Sequence, residues 1–177
     1  MAKIYEDTRQ QAGKHENKAR WWERHGVEVE RAKLDFGDYM AADGSSNIVV
    51  DTKRSIDEVA MDCGRDHARF VREMERAKAA GCRLVVLIEV GHPYRKVPDI
   101  NGWVSGACKR CDLYRVHGCD PREKGGCAQY RGKPLQGERL VKIMRTLERK
   151  HGCRFETCPP SMAAQRICDL MGVAYEL

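Results

Sequence analysis

The sequence predicts an α/β fold: a central mixed β-sheet flanked by helices and interrupted by one cysteine-rich insertion. Three observations carry this expectation. Short β-branched runs alternate with stretches of helical period in both the first half of the chain and its last 40 or so residues. One run, Leu84-Val85-Val86-Leu87-Ile88, is apolar throughout, as suits a strand at the centre of a sheet covered on both faces. Between Gly91 and Leu135 periodicity vanishes, and Gly, Pro, Cys and Arg fill a stretch too long for an ordinary loop. At 177 residues the chain suits a single domain, with 1–91 and 136–177 as its core and 92–135 inserted.

Each element has its own signal. Ile4 to Thr8 reads as an opening strand, and Lys14 to His25 as a helix stopped by Gly26, with Arg24 and His25 placed favourably in its last turn. Val27 to Val29 and Gly37 to Ala42 read as strands. Asp43-Gly44-Ser45-Ser46-Asn47 is a turn cluster, and Ile48 to Asp51 resumes strand character, so residues 37–51 form a hairpin. From Ile56 the pattern turns helical, with Phe70, Val71, Met74 and Ala77 recurring on one face until Gly81. After the insertion, Leu140, Val141, Ile143, Met144 and Leu147 mark a helix that Gly152 ends. A short strand near Arg154 to Glu156 follows, and Pro160-Ser161 opens a last helix towards Gly172.

Composition narrows the function classes. Hydrophobic residues make up 42% and charged residues 33%, an ordinary globular balance. The net charge of +6, from 32 Lys+Arg against 26 Asp+Glu, permits a polyanionic partner such as nucleic acid. No apolar run approaches the roughly 18 residues of a membrane span, and the first residues lack the apolar core of a signal peptide. The expectation is a protein of a reducing cytoplasm without a membrane partner. There nine cysteines are expected to be thiols, and clustered ones become metal-ligand candidates.

The most informative string is Gly37-Asp38, a gap of twelve residues, and Asp51-Thr52-Lys53. Alternate side chains of a strand share a face, so Asp51 and Lys53 point together and Thr52 points away. The hairpin returns Asp38 beside them. Two carboxylates on neighbouring strands suit Mg²⁺ or Mn²⁺, with the Thr52 backbone carbonyl as a further ligand. Such a metal polarises a phosphate and lowers the pKa of a bound water. Lys53 orients that water, offsets transition-state charge and depresses the carboxylate pKa values. Asp-x-Lys on an exposed strand is also commonplace without any catalytic role.

These residues resemble a known family. Asp7-Thr8-Arg9, Gly37-Asp38-Tyr39, Asp51-Thr52-Lys53 with Asp57, Gly64-Arg65 and Leu87-Ile88-Glu89 occur in the order of the XPF family of structure-specific DNA endonucleases. The resemblance implies the restriction-endonuclease-like fold of the PD-(D/E)xK nucleases. It covers Ile4 to Glu89 best. It casts Asp38 and Asp51 as metal ligands, Lys53 as the catalytic lysine and Asp7 as a further acid of the site. Asp57 resembles the closing acid of the motif, or is simply a helix-start acid; Arg9 and Arg65 resemble basic positions near DNA, or are surface arginines. Glu89 ends the central strand near the site, or merely terminates it. Asp51-Thr52 stands where the family has Glu-Arg, Gln10 where relatives carry a carboxylate, and no tandem helix-hairpin-helix module is visible.

The insertion carries Cys108-x2-Cys111-x7-Cys119-x7-Cys127, spacing that closes a structural Zn²⁺ site, with His117 as a substitute for Cys119 and a loop of free thiols as the alternative. Lys109, Arg110, Arg115, Arg122, Lys124, Arg131 and Lys133 surround it, interleaved with Trp103, Tyr114 and Tyr130; this mixture fits a phosphate-tracking surface or a plain solvated loop. Cys63, Cys82 and Cys168 read as inert, and Cys153 with Cys158 as a weaker second pair. Of the adjacent Trp21 and Trp22, at least one belongs to the core.

The resemblance therefore implies a Mg²⁺-dependent endonuclease cutting branched DNA in repair or recombination, in a bacterial or phage setting. A homodimer is expected by analogy. The alternative is a non-catalytic DNA-binding or dimerisation partner with a vestigial nuclease fold.

Overall fold

A computed structural model describes residues 2–11, 15–123 and 125–177. The predicted helix start at Lys14, and Lys124 of the basic set, lie outside the described residues. The first strand, β1 (Ala2–Asp7), leads through α1 (Glu16–Arg24) into β2 (Val27–Ala32), which pairs parallel with it from Ala2↔Val27 to Asp7↔Ala32. A short β3 (Tyr39–Ala41) runs antiparallel to β1 and to β4 (Ile48–Lys53), the second arm of the predicted hairpin. Next come α2 (Ile56–Cys63) and α3 (His67–Ala79), then β5 (Arg83–Glu89), parallel to β4. The chain closes with α6 (Gly137–His151), β6 (Arg154–Cys158) parallel to β5, and α7 (Ala163–Met171). The six strands form one mixed sheet in the order β2-β1-β3-β4-β5-β6.

The alternation of side chains along β4 divides the core in two. Val49 joins Phe70, Met74, Leu84, Val86, Leu140 and Met144 under α2, α3 and α6. Val50 joins Ile4, Trp22, Tyr39, Leu87 and Ile167 under α1 and α7. Leu84 through Ile88 are all buried, as the unbroken apolar run predicts. The expected single helical stretch after Ile56 is two helices. The Ser55 hydroxyl accepts the Glu58 amide to start α2, and the chain turns at Gly64 before α3.

The segment without periodicity is not structureless. A 3₁₀ turn, Val97–Gly102, buries Ile100, and the following Trp103 is buried in the core with it, so Trp103 is not part of a nucleic-acid face. Two single-turn helices follow, α4 (Gly106–Lys109) and α5 (Asp112–Arg115). The excursion is clipped shut at its base. The Gly137 amide donates to the Trp103 carbonyl at 2.9 Å, and the Gln136 side chain accepts the Ser105 amide at 3.1 Å.

Trp22 is the core member of the tryptophan pair, its indole N–H donating to the Ala164 carbonyl. Trp21 stacks on His25 and meets Tyr175 edge-on. Cys153 belongs to one core and Cys158 to the other, so they do not form a pair; burial pushes their thiols up to about 12 and about 11. No helix among the described residues is long and apolar enough to cross a membrane.

Candidate active site

The strand directions bring the polar residues to one edge of the sheet. β1, β4 and β5 end at the edge where the antiparallel β3 begins, which gathers Asp7, Asp38, Asp51, Lys53 and Glu89. Open α/β sheets place their sites at such carboxyl ends. Gly37 sets the approach. Its φ of +68° is open to glycine, and a Cβ there would stand 2.4 Å from the Val49 side chain. Its amide donates to Glu73 of α3 at 3.0 Å.

Asp38 follows, just outside the last β3–β4 pair, Tyr39↔Val50. Its amide donates to the Val50 carbonyl at 2.8 Å, which levels it with Asp51. The carboxylate Oδ2 accepts both the Thr52 amide (2.8 Å) and the Thr52 hydroxyl (2.6 Å). The Thr52 side chain, expected to point away from the site, therefore does contribute. Because Asp38 lies beyond the paired part of β3, its carboxylate is free to reach across to Thr52.

Asp51 and Lys53 share the α2–α3 side of the sheet, as period two requires. Lys53 Nζ stands 2.9 Å from Asp51 Oδ2 and 2.9 Å from Asp62 Oδ2, with the Phe70 ring beneath it. Asp62 is 5% exposed and accepts from Arg69 at 2.6 Å on its other oxygen. A chain of alternating charge results: Asp51, Lys53, Asp62, Arg69. Burial alone would lower the Lys53 pKa, but Asp51 and Asp62 outweigh it, and the net shift is upward.

Asp51 goes the other way from the sequence expectation. Burial pushes its carboxyl up to about 8; Lys53 opposes that shift, while Asp38 and Glu73 add to it. In the protein alone, the neighbouring lysine does not hold this carboxylate in its ordinary range. Asp51 Oδ2 is buried, and the polar group against it is Lys53 Nζ, an ion pair without well-aligned hydrogen-bond geometry. A buried carboxyl crowded by a second carboxylate, with one lysine to offset it, is an arrangement that a divalent cation would relieve.

Asp38, Asp51, Thr52 and Lys53 line one cavity of about 470 Å³, with Arg9 and Arg69 among its rim residues. Asp7 does not line it. Its carboxylate accepts from the Arg9 side chain and from the Arg9 and Leu34 amides, while its own amide donates to the Asp38 carbonyl at 2.8 Å. Asp7 thus steadies Asp38 and Arg9. Arg9 also donates to the Leu34 carbonyl at 2.7 Å. Arg65 is exposed beside Asp66 and lies outside the lining, as do Lys109 and Arg110, which are exposed at the end of α4. Asp57 sits in the first turn of α2, where its Oδ1 accepts the Gly106 amide at 2.9 Å. It is a tie to the excursion, not a member of the cavity.

Sequence reasoning missed Asp62, Arg69 and Lys18. Asp62 had a signal: an acid on the same helical stripe as Val59 and Cys63, where an apolar side chain is expected. Lys18 had none. It lies buried on α1, bonded to Glu89 at the end of β5 and 5.7 Å from the Tyr39 ring centroid.

The four cysteines of the excursion, with His117, line a second cavity of about 280 Å³. Among the described residues, no three His, Cys, Asp or Glu side chains are gathered at metal-ligand spacing, at either cavity.

Sheet order, flanking layers and the acidic edge together define a restriction-endonuclease-like α/β fold. Within that class the chain is similar to XPF from Aeropyrum pernix, with a TM-score of 0.54 and 20% identity. The match covers 96% of this chain and 60% of that one, so the chain spans about 60% of that protein's length. The likeness is one of fold. No family model matches the chain, and no curated protein matches it.

Proposed function

We propose that this protein is a metal-dependent DNA endonuclease that hydrolyses phosphodiester bonds at branched or junction DNA. The observation that carries the reading is that Asp38, Asp51, Thr52 and Lys53 line one cavity, with the Asp51 carboxyl buried between Asp38 and Lys53. Asp38, Asp51 and the Thr52 carbonyl would hold Mg²⁺ or Mn²⁺, hard cations suited to an all-oxygen set. The metal supplies Lewis acidity and an acidified water when bound. Lys53, protonated and clamped by Asp62, stabilises negative charge on the phosphate undergoing attack. Arg9 and Arg69 on the rim bind the flanking phosphates, and Arg65, Lys109 and Arg110 extend the basic surface.

The resemblance of Gly37-Asp38 and Asp51-Thr52-Lys53 to the XPF-family motif is the ground for DNA as the substrate and for repair or recombination as its setting. The nine free cysteines fit a reducing compartment. The test is cleavage of end-labelled fork, flap, four-way junction and linear duplex DNA in Mg²⁺. Cuts clustered near the branch point support the reading. Equal cutting of the unbranched arms reassigns the substrate to plain DNA, and failure in both Mg²⁺ and Mn²⁺ removes the nuclease.

A further inference from the structure

The excursion lacks the means to hold itself together by burial. Between residues 109 and 135 only Pro121 is buried among the described residues, and Val116 is 71% exposed. A segment with so little apolar surface withdrawn from water normally needs a covalent or metal staple. Yet its backbone makes definite turns around its thiols. The Cys111 amide donates to the Cys108 carbonyl at 2.9 Å, the Tyr114 and Arg115 amides donate to the Cys111 carbonyl, and the Cys119 amide donates to the Leu113 carbonyl. Four thiols separated along the sequence thereby line one cavity.

We propose that Cys108, Cys111, Cys119 and Cys127 bind one structural Zn²⁺ in a closed tetrahedral site that folds the excursion against α2. The thiols converge on the cavity without standing at ligand distance, so metal binding and local compaction are one event, each thiol releasing its proton to solvent. Sulfur ligands select zinc over the hard cation suited to the acidic edge, which keeps the two metals at separate sites. A supporting contact is already in place. The Gln136 amide donates to Cys108 Sγ at 3.4 Å and to the Pro134 carbonyl at 2.9 Å, the kind of outer contact that steadies a ligating sulfur. Through Asp57 and the Gly106 amide, the folded excursion holds Lys109 and Arg110 near the start of α2.

The experiment loads the 177-residue chain with Zn²⁺, desalts it and measures metal content beside thiol alkylation mapped by mass spectrometry. The expected result is about one zinc per chain, with these four cysteines protected and then released by chelator. Cys108→Ser and Cys127→Ser lose the metal, while Cys82→Ser, remote from the cavity, keeps it. The Co²⁺ form shows the visible bands of tetrahedral thiolate coordination. Wild-type protein that retains no zinc, or whose four thiols alkylate equally with and without it, overturns the proposal whatever the variants do. So does equal zinc retention by all three variants.

Discussion

Asp51 is the residue at which the fold works against itself. Its carboxyl is buried beside Asp38 and Glu73 and is pushed up to about 8. The unfolded chain releases that proton near the ordinary carboxylate value of about 4. Across the intervening window the folded state holds more protons than the unfolded one, so this group makes the metal-free fold lose stability as pH rises. Metal-free Asp51→Asn is therefore expected to melt above wild type at pH 7.5 and level with it near pH 4. A lower melting temperature for the variant at pH 7.5 contradicts the assignment. Asp62 acts through Lys53. Asp62→Asn should lower kcat by roughly tenfold with little change in KM, and Asp62→Glu should recover part of the loss. A change confined to KM would make Asp62 a substrate-binding group instead. Asp38, Asp51 and Lys53 were legible in the sequence because strand alternation and one hairpin suffice to bring them together. Lys18 was not, and Asp62 left only the trace of an acid on a buried helical stripe, since each meets its partner across the packing of a helix on the sheet, which spacing along the chain does not encode.

Among the elements, the junction of the excursion with α6 is the tightest. A Cβ at Gly137 would stand 1.9 Å from the Ile100 carbonyl oxygen and 2.9 Å from the Trp103 amide, backbone atoms that cannot turn aside. Gly137→Ala is expected to destabilise by upwards of about 3 kcal/mol, read as a fall in Tm of roughly 10 °C. A shift of only a degree or two would show that this closure is looser than the geometry implies. The hairpin of β3 and β4 and the interior position of β5 were readable from the turn cluster and the apolar run, whereas the strand order was not. The break at Gly64 was not, because helical period continues on both sides of it. Nor was the burial of Ile100 and Trp103, two apolar residues in a stretch otherwise rich in Gly and charge; tertiary packing alone separates such anchors from loop residues.

At the scale of the molecule, one sheet edge gathers acids, a lysine and arginines from the ends of β1, β4 and β5, the turns beside β1 and β3, and α3, while the two cores beneath remain apolar. The net charge of +6 permits an anionic partner without choosing or placing one. Our proposal of DNA as that partner, and of a metal held by Asp38 and Asp51, rests on the arrangement of Asp38, Asp51 and Lys53 at this edge. The measurement that tests this most directly is single-turnover cleavage of a labelled DNA fork in Mg²⁺, wild type beside Asp51→Asn, with binding of the same DNA followed in parallel. The account predicts that Asp51→Asn binds the fork about as tightly as wild type but cuts it about 1,000-fold more slowly or not at all. Equal cutting by the two proteins, or binding without cutting by both, would contradict it.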